Sequence, residues 1–351
     1  MDLKRVGLDT SKAVFTVHGV DHAERVVVRR DLKRPALEAF FAKLPATVVA
    51  LEACGASHHW GRRLTALGHE VLLIPPQYVK PFVKRGKNDR NDAEAISEAA
   101  SRPGMATVPV KSAARQAEAM VLSMRETLVK QRTQWVNTMR GHAAEFGVIA
   151  GKGVGRVGEL LDKVAADATI PPAAQEMLRF AAAEVAHLDE RIGELERQMQ
   201  RQHKANPMSQ MLAKVPGIGP IGALSLALTV DAGRFQSARH FSAWLGLVPK
   251  QHSTGGRQRL GSISKAGNER LRQLLVVGAM SVIRFAKPGS KSASAWLLNL
   301  LERKPRKLAA VALANKMARI VWAMSRQRRA GAMMTRGEAY RRGPVAQLVA
   351  G

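Results

Sequence analysis

Hydrophobic and polar positions alternate over the first twenty residues. In RVGLDTSKAVFTVHGV two runs of period two flank a polar break, which predicts a strand, a tight turn and a second strand. ERVVVRR, residues 24–30, predicts a third. PALEAFFAKL, residues 35–44, has helical spacing with Pro35 at its start. TVVALEA, from Thr47, is a short run rich in β-branched residues and predicts a buried strand. HHWGRRLTALG predicts a helix, and EVLLIPP a strand stopped by Pro75 and Pro76. This rhythm predicts an α/β layer domain over residues 1–110.

The pattern changes after residue 111. Met120, Met124, Leu128, Gln131 and Trp135 fall at helical spacing, and the run breaks at Gly147. A second long helix is predicted from Ala173 to Gln202, in which Leu188, Ile192, Leu195 and Met199 form a coiled-coil-like seam. That seam fits packing within the chain or a dimer interface equally. Residues 111–205 thus form a helical spacer. Gly153, Gly155 and Gly158 match G-x-G-x-x-G, but a helix rather than a strand precedes them, so the segment is an interhelical loop and not a nucleotide site. MLAKVPGIGPIGALSLALTV, residues 211–230, reads as helix, glycine hairpin and helix. There Gly217 and Gly219 would let backbone N–H groups approach a nucleic-acid phosphate. Residues 206–326 form a mostly α-helical domain, followed by a basic, flexible tail over 327–351.

Composition sharpens this picture. Among 351 residues there are 55 Lys and Arg against 28 Asp and Glu, a net charge of +27. Such an excess favours a nucleic-acid partner over an acidic protein or a membrane surface. Cys54 is the single cysteine, which excludes a disulfide framework or a cysteine zinc site within one chain. No signal peptide and no membrane-length apolar run stands out, so a cytoplasmic, nucleoid-associated protein is expected.

Against that basic background four acids are conspicuous: Asp9 and Glu52 at strand ends, and Asp89 and Asp92 three residues apart in KNDRNDAEA. A helical turn puts the last two on one face. Hard oxygen ligands converging from two strands and a helix suit Mg²⁺ or Mn²⁺ and phosphoryl transfer. Each acid also has a plainer reading: Asp9 capping a turn, or Asp92 capping the helix that follows. Lys12, Lys87 and Arg90 flank the acids as candidate nucleic-acid contacts.

GLDTSK, LEACG and KNDRNDA together resemble the DEDD-type transposases of bacterial insertion-sequence family 110, which includes Piv-like DNA invertases. The resemblance implies a ribonuclease-H-like (RuvC-like) N-terminal domain with Asp9, Glu52, Asp89 and Asp92 as its catalytic metal-binding tetrad. Cys54 stands where many relatives carry Thr.

A second constellation is GLVPKQHSTGGRQRLGSISKAGNERLRQLL, residues 246–275. Ser253 and Thr254 precede Gly255 and Gly256, and Arg257, Arg259, Lys265, Arg270 and Arg272 follow. The residues alone favour a loop that holds a backbone phosphate without a covalent bond. The block is similar to the second domain of the same family, and that resemblance implies Ser253 as a catalytic serine forming a phosphoserine link, with Ser262 and Ser264 as weaker matches. It also implies a structured noncoding guide, a bridge RNA. Tyr340 is a remote candidate nucleophile, and His58, His59 and His252 are expected at the surface or on DNA.

The reading expected from sequence is therefore an insertion-sequence transposase acting on donor and target DNA, as a homodimer or homotetramer. One arrangement would join the acids of one protomer to Ser253 of another. Two alternatives stay open: a metal-only nuclease of the Holliday-junction type, and a nucleic-acid-binding protein without activity.

Overall fold

The computed structural model describes residues 2–84, 86, 88–289 and 294–333, with side chains to 327. The chain divides into two compact units, Met1–Gln116 and Ala117–Gly351. Among the described residues no helix is long and apolar enough to cross a membrane.

The first unit is built on one mixed sheet. Strands β1 (Arg5–Thr10), β2 (Val14–Val20) and β3 (Val26–Lys33) form an antiparallel meander, and β4 (Val48–Glu52) and β5 (Glu70–Ile74) add in parallel, giving the order β3-β2-β1-β4-β5. Period-two alternation decides what each face buries. Val6 and Leu8 of β1 are fully buried with Phe15, Val49 and Leu51, against Leu37 and Phe41 of α1 (Leu37–Phe41) and Trp60 and Leu64 of α2 (Ser57–Ala66). On the opposite face Ala50 and Ile74 pack with Val79 of α3 (Pro76–Val79) and with Ala95, Ile96 and Ala99 of α4 (Asp89–Ala100). The helix expected over 35–44 is shorter: a 3₁₀ turn at Arg34–Ala36 leads into five residues of α1.

In the second unit α5 (Ala113–Glu145) and α7 (Pro172–Ala205) run antiparallel, with α6 (Val157–Ala166) packed against one end through Leu160 and Val164. Val136, Met139 and Ala143 of α5 meet Leu178, Ala181 and Val185 of α7, and towards the other end Val121 and Leu122 meet Met199. The expected α5 stripe is rotated from this seam, since Met120 and Met124 are exposed. The reason is that two seam positions are arginines. Arg125 pairs with Glu196 at 2.5 Å and Arg132 pairs with Asp189, so a count of apolar residues misplaces the stripe. Leu188, Ile192 and Met199 are buried within this chain and Leu195 is partly buried, so most of the α7 seam packs inward. Between α5 and α7 the glycine segment is more structured than the loop expected. Gly153 takes φ +109°, a 3₁₀ turn follows, and Gly158 lies inside α6.

The remaining helices are α8 (Pro207–Leu212), α9 (Pro220–Thr229), α10 (Ala238–Trp244), α11 (Glu269–Arg284), α12 (Ala295–Arg303) and α13 (Arg306–Met333). Small residues of α13, Ala309, Ala310, Ala314 and Ala318, are fully buried, which lets α10 and α11 pack closely on it. The segment 327–333, expected to belong to a flexible tail, continues α13. Tyr340 lies outside the described residues.

Candidate active site

The sheet delivers the acids. Gly7 pairs with Ala50 and Leu8 with Leu51 in the parallel β1/β4 ladder, so Asp9 comes next to Glu52 at the same end of neighbouring strands. Helix α4 starts over that end. Its N-cap is Asn88, whose side chain accepts from Asn91 N at 2.8 Å, while Asn91 Nδ2 donates to Gly86 O at 2.9 Å. The capping role open to Asp92 from sequence is thus filled by Asn88. Asp89 and Asp92 are left in the first turn, and their carboxylates come within 4.8 Å of that of Asp9. Glu52 stands outside this group of three.

Electrostatics follow from the crowding. Burial, then the charges of Asp92 and Asp89, push the Asp9 carboxyl up from 3.8 to about 6. Burial and Asp92 raise Glu52 as well, which ties it to the same field. Cys54, exposed, lies beside the site with Sγ 3.2 Å from Thr10 Oγ1. Lys12 is exposed in the β1–β2 turn. Arg90 projects outward and pairs with Asp31 at 3.3 Å. Lys87 lies outside the described residues.

Ser253 sits on a different kind of scaffold. β6 (Pro249–Gln251) and β7 (Leu260–Ile263) form an antiparallel two-stranded ribbon. Its tip is the turn Thr254-Gly255-Gly256-Arg257, closed by Arg257 N donating to Thr254 O at 3.0 Å. Gly255 and Gly256 both have positive φ, +53° and +76°, the combination a two-residue hairpin turn demands. The expected loop is therefore a hairpin, and its glycines are accounted for by the turn. A Gly-Gly pair between short polar strands is a hairpin signal the sequence already carried. Ser253 Oγ accepts from Arg259 N at 3.1 Å, and Arg257 and Arg259 are exposed. Ser262 is exposed on β7, and Ser264 Oγ is 3.4 Å from Ala266 N.

Comparison with known proteins decides the family. A transposase model of the DEDD type of IS110 elements matches residues 6–147, and a model described as "Transposase IS116/IS110/IS902 family" matches residues 209–294. The chain is 50% identical over 339 residues to the "Putative transposase y4pF/y4sB" of Sinorhizobium fredii, covering 96% of this chain and 85% of that one. It is 51% identical over 328 residues to a "Probable family 20 transposase" of Pseudomonas aeruginosa, covering 92% and 97%. It is 40% identical over 345 residues to the "Transposase for insertion sequence element IS1111A" of Coxiella burnetii, covering 97% and 92%. The chain belongs to the IS110 family of transposases. It is a DNA transposase of an insertion sequence, an enzyme of phosphoryl transfer.

For an IS110 transposase the structure also sorts the cations expected to touch nucleic acid. Arg270 is turned inward, pairing with Glu126 at 2.7 Å and donating to Leu122 O. Arg272 is buried and donates to Leu245 O at 3.0 Å and Ala266 O at 2.7 Å, bracing the base of the serine ribbon. Both were expected among the phosphate contacts and instead hold the fold. Lys265 is exposed, with φ +56°. Gly217, in the α8–α9 turn, takes φ +86°, and a β-carbon there would stand 2.7 Å from Gly278 O of α11. Its lack of a side chain serves that contact, whereas Gly219, the N-cap of α9, is exposed. His58 is half-buried and accepts from Lys111 N at 3.2 Å, so it too is structural.

Proposed function

We propose that this transposase cuts and rejoins DNA with two sets of groups: Asp9, Glu52, Asp89 and Asp92 holding Mg²⁺ or Mn²⁺, and Ser253 attacking phosphorus. The observation that carries the metal half is the meeting of Asp9, Asp89 and Asp92 within 4.8 Å. Burial and neighbouring carboxylates raise Asp9 to about 6, so the site is short of positive charge, and its donors are the hard oxygens that such ions prefer. When bound, the ion supplies Lewis-acid stabilisation of charge on a phosphoryl oxygen. Strand order supports a ribonuclease-H-like (RuvC-like) reading of the first unit: a three-stranded antiparallel meander, two parallel strands added beside β1, and acids at the ends of β1 and β4. The α8–turn–α9 segment supports a helix–hairpin–helix, with Gly219 rather than Gly217 facing DNA. Residues 111–205 act as the spacer and 206–326 carry the serine.

In the serine step, Ser253 Oγ bonds to phosphorus and the bond from phosphorus to one deoxyribose oxygen breaks. The hydroxyl proton leaves Oγ, and the departing oxygen takes up a proton. Attack by a deoxyribose hydroxyl of another strand reverses this and frees the serine. One phosphodiester is exchanged for another, so no nucleotide hydrolysis is required. Arg257 and Arg259 stabilise charge on the transferred phosphoryl group. A structured noncoding guide RNA and a homodimer or homotetramer complete the reading. The net charge of +27 supports a polyanionic partner such as the RNA.

One observation favours a second reading. Among the described residues, the polar contact of Ser253 Oγ is a backbone N–H, with no carboxylate or imidazole bonded to it. A metal-only nuclease would need no more of the ribbon than a grip on phosphate. Ser253→Ala separates the two. We expect it to lose recombination and the covalent protein–DNA adduct while still assembling on nucleic acid. Mass spectrometry of the trapped, protease-digested adduct should map the phosphodiester to Ser253. An active protein with no adduct would establish the nuclease, and an adduct at Ser262, Ser264 or Tyr340 would displace Ser253. Sequencing RNA that co-purifies with the protein tests the guide.

A further inference from the structure

The meeting of the acids depends on how closely α4 lies on β1. Alternation along β1 buries Val6 and Leu8 in the core of one face and turns Arg5, Gly7 and Asp9 toward α4. Three contacts run along that face. Arg5, itself buried, donates from Nε to Ser97 Oγ at 3.3 Å. Gly7 passes directly beneath the backbone of α4: a β-carbon there would stand 2.2 Å from Ala93 O, 2.6 Å from Ser97 N and 2.9 Å from Ser97 Cβ. Asp9 then meets Asp89 and Asp92. The two nearest obstructing atoms are backbone, so no change of rotamer relieves the clash and the helix itself must withdraw.

We propose that Gly7 is a positioning residue of the acid site: its missing side chain sets the β1–α4 spacing that carries Asp89 and Asp92 onto Asp9. The inference rests on the metal-binding reading above. Any substitution at Gly7 would lift α4 by roughly 1 Å, about half the length of a Mg²⁺–oxygen bond, which is more than a near-octahedral site tolerates. The displaced stretch includes Ala93, next to Asp92, so the acidic end of the helix moves with it.

The test is Mn²⁺ binding by the full-length, metal-free protein, read from the paramagnetic resonance signal of free Mn²⁺. Thermal midpoints are measured with and without the ion. Gly7→Ala should weaken Mn²⁺ binding by at least about tenfold and lose the Mn²⁺-induced rise in midpoint, the scale expected when a group that orients ligands is removed. Gly61→Ala is the control for lost stability, because its β-carbon would crowd Val110 Cγ2 at 2.9 Å on α2, away from the acids. It should keep wild-type affinity. If Gly7→Ala does not fold, Ser97→Thr adds one methyl at the same crossing and should give a smaller loss. Wild-type affinity in folded Gly7→Ala or Ser97→Thr overturns the proposal, as does equal weakening by Gly61→Ala. Failure of the wild type itself to bind Mn²⁺ removes the metal reading and this one with it.

Discussion

Asp9 and Glu52 stand at the ends of adjacent strands whose cores are fully buried, and Asp89 and Asp92 stand on a helix pressed to the same sheet. Ser253 stands on a ribbon whose residues 249–262 are all exposed and whose base is braced by Arg272 and by Asn315, which donates to Leu247 O at 3.1 Å. The two regions hold their chemistry differently. The acids are brought together at an electrostatic cost that core packing offsets, as the raised pKa values of Asp9 and Glu52 record. Ser253 is carried on a two-stranded element that is marginal alone. A preassembled site suits an ion that demands fixed geometry. An exposed ribbon suits the nucleophile proposed at Ser253, which would have to meet its substrate first.

The sharpest way to break this comparison is to neutralise an acid. Asp9→Asn should abolish recombination while leaving bulk nucleic-acid affinity nearly unchanged. The same change should stabilise the metal-free protein near pH 7. Asp9 has its folded pKa raised to about 6 from 3.8, so the folded state holds the extra proton between those values. Stability from this group is therefore present at low pH and lost as pH rises through about 6. The two pKa values limit the effect to about 3 kcal/mol. Melting curves between pH 4.5 and 8 should show the wild type losing ground to Asp9→Asn as pH rises, and Mg²⁺ or Mn²⁺ should restore it. A flat difference across that range would mean that Asp9 is neither desolvated nor held among like charges.

A loss of stability tests the other region. Arg272→Met removes two hydrogen bonds from a buried guanidinium at the ribbon base, where bonds to charged groups contribute about 1.5–3 kcal/mol each. We expect a loss of about 3–6 kcal/mol in denaturant unfolding. Amide exchange should quicken at Ser264, bonded to Val248 O, and at His252, bonded to Arg259 O. Unchanged exchange at both would mean that the ribbon is ordered without its brace.

Legibility in the sequence divides along the same line. The sheet strands were readable because alternation and β-branched runs reflect burial directly, and the joining of Asp9 to Asp89 and Asp92 followed from strand ends and helical spacing. Gly7 was invisible, because its role is set by backbone atoms of a helix more than eighty residues away in sequence. Arg125 and Arg132 hid the α5 seam, because an ion-paired arginine takes the place of an apolar residue. Arg270 and Arg272 read as phosphate ligands because charge says nothing about the direction a side chain takes. Gly255 and Gly256 read as a phosphate loop although a hairpin turn explains them fully.

The smallest effect concerns the cations left outside. Arg257 and Arg259 are exposed on the ribbon, whereas Arg270 is tied to Glu126. If the ribbon grips backbone phosphate, each exposed arginine releases about one counterion on binding duplex DNA. Arg257→Gln with Arg259→Gln should then lower the slope of log affinity against log salt by about 2, with affinity falling similarly for unrelated sequences. Arg270→Gln should leave the slope unchanged and lower stability instead, since it removes the ion pair with Glu126, which keeps only Lys130, and the bond to Leu122 O. Fluorescence anisotropy on one duplex at four or more salt concentrations measures all three slopes. An unchanged slope in the double variant would place the ribbon away from phosphate, and a reduced slope in Arg270→Gln would return that residue to the nucleic-acid surface.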